Sequence, residues 1–254
     1  MSDSSSSFSV RIARTDAELK AAQRLRYDVF VRELGGGGEM VDHDAGLEMD
    51  RFDPFFDHLL AEDISTGQVV GVYRLLRDDQ AAKAGQFYSE DEYDLTPLKT
   101  SGRKLLELGR SCLHPDYRGG MAMFHLWSGL SDYVEQHHIE ILFGVASFHG
   151  TDLKQLANPL SMLHHNHLAP PELRVRAQPE HFQPMDLVSP DDLDRRSAML
   201  QVPSLIKAYL RLGGFIGEGA FVDRSFNTTD VCLILDTKRL NDRQRRIYAG
   251  GRSN

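Results

Sequence analysis

Two charged side chains, Glu107 and Arg110, stand inside an otherwise apolar stretch that is typical of a buried β-strand. A regular strand places positions three apart on opposite faces. Gly109 lies between them and permits a bulge, which would turn both charges toward one cleft and release a backbone N–H for an oxyanion. We therefore predict an active site at Glu107–Arg110, with the oxyanion donor near Leu113.

A strand–turn–helix transition follows this segment. Pro115 ends the predicted strand, and Arg118-Gly119-Gly120 opens a predicted helix. The first N–H groups of a helix have no partner within the helix and attract anions. The turn is therefore a predicted anion site.

This arrangement resembles the acyl-donor site of the GNAT superfamily, in which Arg/Gln-x-x-Gly-x-Gly/Ala holds the pyrophosphate of coenzyme A. The resemblance implies donor contacts at Leu113, Arg118, Gly119 and Gly120. Counted from Arg118, the glycine positions of the pattern fall on Met121 and Met123. Because a thioether side chain crowds a pyrophosphate more than a single phosphate, we expect acyl carrier protein rather than coenzyme A as the donor.

Three further segments carry a second resemblance: Arg26–Phe30, Glu48–Asp53 and Val70–Leu76. Together with Glu107–Arg110 they resemble the N-terminal half of acyl-homoserine lactone synthases. Those GNAT-fold enzymes acylate an amino-acid amine from acyl carrier protein. The resemblance implies an α/β (α+β) fold with a mixed central sheet flanked by helices.

The C-terminal half, notably Pro203–Gly214 and Asp223–Val231, is similar to the bacterial hemolysin-like, ornithine-lipid N-acyltransferases. This resemblance implies transfer of a 3-hydroxyacyl group from acyl carrier protein to the α-amine of L-ornithine, giving lyso-ornithine lipid. It also implies no tightly bound cofactor, because the phosphopantetheine thioester is a co-substrate.

The chemistry assigns roles to the charged residues. An α-amine is mostly protonated at pH 7, so the reaction needs a general base, for which Glu107 and Asp50 are the candidates. The α-carboxylate of the acceptor needs a cation, which Arg74 or Arg110 could supply. The other predicted acceptor contacts are Arg26, Glu48 and His149. The alternative interpretation of this set is a structural network of ion pairs.

Composition and patterning suggest the domain organisation. The chain has 254 residues and a net charge of -8, which counts against nucleic acid as a partner. We predict a disordered tail over 1–9, a single domain over 10–240 with a Pro-rich insertion or lid near 169–190, and a basic tail over 241–254. Since no run approaches bilayer length, we expect a cytoplasmic protein, with peripheral contact to the inner membrane as an option.

Other reactive residue types are predicted to be structural. His164 and His165 are neighbours on a predicted helix and point about 100° apart, so we expect no metal site there. Cys112 and Cys232 lie in apolar runs and are predicted to be buried free thiols. Glutamine as the acceptor, an acyl-homoserine lactone synthase and a non-catalytic acyl-chain-binding or membrane-associated module remain alternative functions. Acyl-chain length and oligomeric state stay open.

Overall fold

The computed structural model describes residues 7–224 and 226–240, which form two compact units. Unit 1 comprises the described residues up to Ala84 together with Leu108–His138. Unit 2 comprises Gly85–Glu107 together with the described residues from Ile139 onwards. The two units alternate along the chain.

Unit 1 contains one α-helix that continues into a π-helix, three complete strands, part of a fourth, and two more helices. In chain order these are β1 (Phe8–Ile12), α1 (Asp16–Arg26), the π-helix (Tyr27–Glu33), β2 (Asp57–Asp63), β3 (Gln68–Arg77), α2 (Asp78–Ala84), β5 (Leu105–Leu113) from Leu108 onwards, and α4 (Ala122–His137). β1 pairs antiparallel with β2, and β2 pairs antiparallel with β3.

Helices cover both faces of this sheet. On one face, Ala22 and Leu25 of α1 pack with Leu60, Val72 and Cys112. On the other face, a Cβ added at Gly71 would lie 3.6 Å from Leu126 of α4 and 2.8 Å from Leu113 of β5. A capping box starts α1, because the Thr15 hydroxyl accepts from the Glu18 N–H and the Glu18 carboxylate accepts from the Thr15 N–H.

Unit 2 has shorter elements around two long strands. In chain order these are β4 (Tyr93–Asp94), α3 (Thr96–Lys99), β5 up to Glu107, β6 (Ile141–His149), α5 (Leu153–His167), β7 (Arg176–Ala177), β8 (Phe182–Gln183), α6 (Arg195–Gln201), α7 (Ser204–Arg211), β9 (Phe215–Ile216), β10 (Ala220–Asp223) and β11 (Thr228–Asp236).

The strand pairing of unit 2 is mixed. β5 pairs in parallel with β6 over Leu105–Glu107, and β6 pairs antiparallel with β11 along its whole length. The terminal strands β10 and β11 pair antiparallel. Parallel and antiparallel strands with flanking helices confirm the predicted α+β class.

One local prediction was wrong. Phe8 and Ser9 belong to β1 rather than to a disordered tail, because they pair with Asp63 and Glu62. The Pro-rich segment 169–190 contains two short strands, of which β7 pairs with β4 and β8 pairs with β10. The predicted basic tail over 241–254 and residues 1–6 lie outside the described residues.

Candidate active site

A cluster of three arginines and three carboxylates lies inside unit 1, and we call it the charge cluster. Its members are Arg26, Arg74, Arg110, Glu48, Asp50 and Asp53. Three positive and three negative charges cancel, which is how a protein can keep this many ions away from water. The sequence predicted five of these six residues as site residues.

Arg26 is the last residue of α1 and is completely buried. Its Nε donates to Glu48 Oε2 at 2.5 Å, and its Nη1 donates to Asp53 Oδ1 at 2.9 Å. Nη2 also donates to the backbone carbonyl of Glu48 at 2.8 Å. Arg26 therefore holds the chain segment that carries the carboxylates against α1.

Asp53 is the member that the sequence analysis missed. It accepts from Arg26, from Arg74 Nη1 at 2.8 Å and from Gln23 Nε2 at 2.9 Å. Burial acts to raise the pKa of Asp53, but the charges of Arg26 and Arg74 outweigh burial and hold its pKa far below the usual range. The available signal was its position, three residues after Asp50 in the same segment.

Arg74 comes from β3 and is completely buried as well. Its Nη1 also donates to Asp50 Oδ2 at 2.6 Å, and its guanidinium carbon lies 4.3 Å from the centre of the Phe56 ring. A Cβ added at Gly109 would lie 3.8 Å from two nitrogens of Arg74. A larger residue at position 109 would crowd the face of this guanidinium.

Arg110 takes a left-handed backbone conformation with φ of 50°, which is uncommon for a residue with a side chain. The predicted irregularity in β5 is therefore present, but at Arg110 rather than at Gly109. Its Nε donates to Glu48 at 3.0 Å, its Nη2 lies 3.8 Å from Asp50, and its guanidinium carbon lies 5.9 Å from the centre of the Phe30 ring.

Exposure separates the members of the charge cluster. Arg26 and Arg74 are fully buried, and Glu48 and Asp53 nearly so, with 7% and 5% of their side chains exposed. Asp50 and Arg110 expose 19% and 20%. Solvent, and therefore a small polar ligand, meets the cluster at the pair Asp50–Arg110.

Glu107 lies in unit 2 and is buried. Its Oε2 accepts from the Tyr88 N–H at 2.7 Å, and its Oε1 accepts from the Ser89 N–H at 2.7 Å and from the Ser89 hydroxyl. These donors stabilise the ionised carboxylate and fix the turn at Tyr88–Ser89. Arg110, which the sequence paired with Glu107, lies in unit 1 and donates to Glu48.

His149, the remaining predicted acceptor contact, ends β6 in unit 2 opposite Thr228 and is exposed. The predicted donor turn lies in unit 1. Arg118 donates to the Leu113 carbonyl at 3.3 Å, and Gly119 adopts φ of 76°, a conformation that favours glycine. α4 begins at Ala122, with an exposed Met121 at its N-cap.

The structure also describes the residues that were expected to be inert. Cys112 and Cys232 are buried and free, as predicted, and burial raises the pKa of Cys112 to about 12. His165 bonds to the Val188 carbonyl at 3.0 Å, with the His164 ring at 86° to its own. Within residues 7–224 and 226–240, no group of three or more His, Cys, Asp or Glu side chains is arranged to hold a metal.

A thiol with such a pKa is not a nucleophile at neutral pH. None of the helices in the described part of the chain is both long and apolar enough to cross a bilayer.

The fold is of the GNAT type. Residues 25–128 match the Acetyltransferase (GNAT) domain family. The fold is similar to those of two acyl-homoserine lactone synthases, LasI with a TM-score of 0.51 and the CoA-dependent MesI with 0.53. The superpositions cover 98% and 97% of both chains at 16% and 15% identity, so this likeness concerns the fold.

Sequence comparison is more specific. The L-ornithine N(alpha)-acyltransferase of Rhodobacter capsulatus is 60% identical over 247 residues, which cover 95% of each chain. The L-ornithine N(alpha)-acyltransferase of Brucella abortus is 44% identical, over 95% of this chain and 89% of its own. The chain belongs to the L-ornithine N(alpha)-acyltransferase family.

Proposed function

We propose that this enzyme transfers a (3-hydroxy)acyl group from acyl carrier protein to the α-amine of L-ornithine, which gives lyso-ornithine lipid. The relatives support ornithine as the acceptor, because their names state that substrate. The observation that carries the proposal is the pair Asp50–Arg110, which presents one anion and one cation 3.8 Å apart at the exposed edge of the charge cluster. The α-carbon of an amino acid carries the complementary pair.

In this proposal, Arg110 binds the α-carboxylate of the acceptor. Arg74 was an equal candidate from the sequence, but it is completely buried and already donates to Asp50 and Asp53. Arg110 reaches solvent, and an arginine fork matches the two oxygens of a carboxylate. Arg26, Arg74, Glu48 and Asp53 then hold Arg110 and Asp50 in place.

Asp50 is the proposed general base, directly or through one water. The neutral amine attacks the thioester carbonyl carbon, the new C–N bond forms and the C–S bond breaks. Asp50 takes the proton that the amine nitrogen loses, and the sulfur leaves as a thiolate, which takes a proton from solvent. Glu107 is the weaker candidate, because it is buried and both of its oxygens accept hydrogen bonds from Tyr88 and Ser89. We assign Glu107 the role of fixing that turn.

The donor is proposed to be acyl carrier protein, and its phosphate is proposed to bind at Arg118, Gly119 and the start of α4. Support comes from Met121, which is exposed at the N-cap of α4 instead of pointing into the core. A side chain there limits the room for a pyrophosphate. Because the donor is a soluble protein and the product an amphipathic lipid, we place the reaction in the cytoplasm, with peripheral contact to the membrane.

The test is an acyl-transfer assay with 3-hydroxyacyl carrier protein and a panel of ornithine, lysine and glutamine, with products identified by mass spectrometry. We expect acylated ornithine to dominate, and we expect acyl-CoA of the same chain length to be a poorer donor. Asp50→Asn should lower kcat by about 10²- to 10⁴-fold. Arg110→Ala should mainly raise the KM for ornithine.

Asp28→Asn is the matched control, because Asp28 is an exposed carboxylate paired with Arg32 on the π-helix. It should leave both constants unchanged. An Asp50→Asn enzyme with full turnover would reject Asp50 as the base, and glutamine as the preferred acceptor would reject ornithine. Equal rates with acyl-CoA would reject the carrier protein as the specific donor.

A further inference from the structure

The guanidinium of Arg118 is already occupied by a carboxylate of the same unit. Arg118 Nη1 donates to Glu33 Oε1 at 2.6 Å, and Nη2 donates to Glu33 Oε2 at 2.7 Å. This is the two-pronged geometry with which arginine binds carboxylates and phosphates alike. The position that the donor's phosphate would take on Arg118 therefore holds an anion from the protein itself.

Glu33 is placed there by the π-helix. It is the last residue of Tyr27–Glu33, while Arg118 follows a short turn, Pro115–Tyr117, and keeps a second contact to the Leu113 carbonyl. Both side chains of the pair are well exposed, at 41% for Arg118 and 38% for Glu33. An exposed pair is weak, because water competes for both partners, so an incoming anion can open it.

We propose that Glu33 competes with the donor's phosphate for Arg118, so that the acyl donor binds by displacing this carboxylate. The inference rests on the proposed function, because it takes Arg118 as a contact of the donor. The phosphodiester of a carrier-bound phosphopantetheine arm carries one negative charge, as the Glu33 carboxylate does. The exchange therefore keeps the local charge constant, and the N-terminus of α4 favours the phosphate further.

The consequence is selectivity for the acyl donor over small anions. A donor that gains contacts elsewhere on the protein can displace Glu33, whereas a small anion that binds Arg118 alone gains little from the exchange. Glu33 thus acts as a specificity-determining residue through Arg118, without touching the reacting atoms. Its effect should appear in donor binding and not in turnover.

The experiment compares wild type with Glu33→Gln, which removes the charge but keeps the shape. With the acyl carrier protein donor we expect the donor KM to fall about two- to fivefold, the range that an exposed ion pair supports, with kcat and the ornithine KM unchanged. In about 1 M salt, where the screening length is about 3 Å, the difference should shrink toward zero. In a double-mutant cycle, Glu33→Gln should give no gain in an Arg118→Gln background.

A second measurement separates this inference from the proposed function. Calorimetric titration with 4′-phosphopantetheine should show tighter binding to Glu33→Gln than to wild type, even if no carrier-protein donor is used by the enzyme. Asp28→Asn is the control, since it removes an equal charge and an exposed ion pair from the same π-helix without touching Arg118. Equal affinities of wild type and Glu33→Gln, or an equal gain in Asp28→Asn, would overturn the role of Glu33.

Discussion

The six side chains of the charge cluster fall into a buried group and a partly exposed pair. Arg26, Arg74 and Asp53 are buried, and both arginines donate to Asp53, which offsets the cost of removing these charges from water. Asp50 and Arg110 lie at the exposed edge of the cluster and pair with buried ions, Asp50 with Arg74 and Arg110 with Glu48. The cluster can therefore be a structural network of ion pairs and an active site at once, because the buried ions orient the exposed pair.

Asp53 offers a test of the buried part. Replacement by Asn removes the charge that faces both Arg26 and Arg74, and leaves two buried cations short of a partner. We expect Asp53→Asn to lower the free energy of unfolding by about 3 kcal/mol, as when one partner of a buried pair is removed. Urea unfolding monitored by circular dichroism measures the change, with Asp28→Asn expected to stay within about 0.5 kcal/mol of wild type.

The same residue predicts a pH dependence. The pKa of Asp53 is lower in the folded protein than its unfolded value of about 3.9, so its stabilisation is fully present above that value and is lost as the pH falls toward the folded pKa. Wild type should therefore lose stability between about pH 5 and pH 2 more steeply than Asp53→Asn. Parallel slopes for the two proteins in unfolding experiments at pH 5, 4 and 3 would contradict this.

At the scale of elements, the conformation of α1 and the packing of α4 depend on contacts that the local sequence does not reveal. α1 has the predicted capping box, yet its continuation is a π-helix, which places Phe30 near Arg110 and Glu33 on Arg118. Single π-helical turns are frequent at functional sites. Regular α-helical spacing continued to Glu33 would point these side chains in different directions.

Gly129, in the middle of α4, shows how packing overrides helix propensity. A Cβ there would lie 2.3 Å from Val10 Cγ1 on β1 and 3.6 Å from Leu59 Cδ1 on β2. Gly129→Ala gains up to about 1 kcal/mol of helix propensity. The clash should nevertheless destabilise the protein by about 1 to 3 kcal/mol, because Val10 is β-branched and has few alternative rotamers.

The thermal midpoint of Gly129→Ala measures this effect, and the double variant Val10→Ala/Gly129→Ala is its control. Removal of the Val10 methyl groups makes room for the new Cβ. The double variant should therefore lose less stability than the sum of the losses in the two single variants. A rise in the midpoint of Gly129→Ala alone would show that α4 and β1 are less tightly packed than the structure indicates.

For the whole molecule, the interleaving of the two units has consequences for folding. The core of unit 1 combines Leu25 and Val72 with Cys112, and Gly71 packs against Leu113 and Leu126. A fragment ending at Ala84 keeps β1, β2, β3 and α1 but loses these partners. We therefore expect fragment 1–84 to lack a cooperative thermal transition in circular dichroism.

Co-expression with fragment 85–254 is the control for that prediction, because it returns the missing core residues. The pair should regain a cooperative transition and acyltransferase activity. A fragment 1–84 that unfolds cooperatively alone would mean that the first segment is an independent domain.

The sequence by itself determined the class of fold, the family and most of the charged residues of the site, because residue types, their order and local periodicity are properties of the chain. It predicted Arg26, Glu48, Asp50, Arg74 and Arg110, and the structure brings these five together within unit 1. Tertiary structure decided which of them meet solvent, that Asp53 joins them, and that Glu107 bonds to the Tyr88–Ser89 turn of unit 2. Those outcomes depend on burial and on partners distant in the chain, and neither can be read from spacing. A charge in an apolar strand looks the same in sequence whether it will face a substrate or a backbone N–H, and folding alone distinguishes the two.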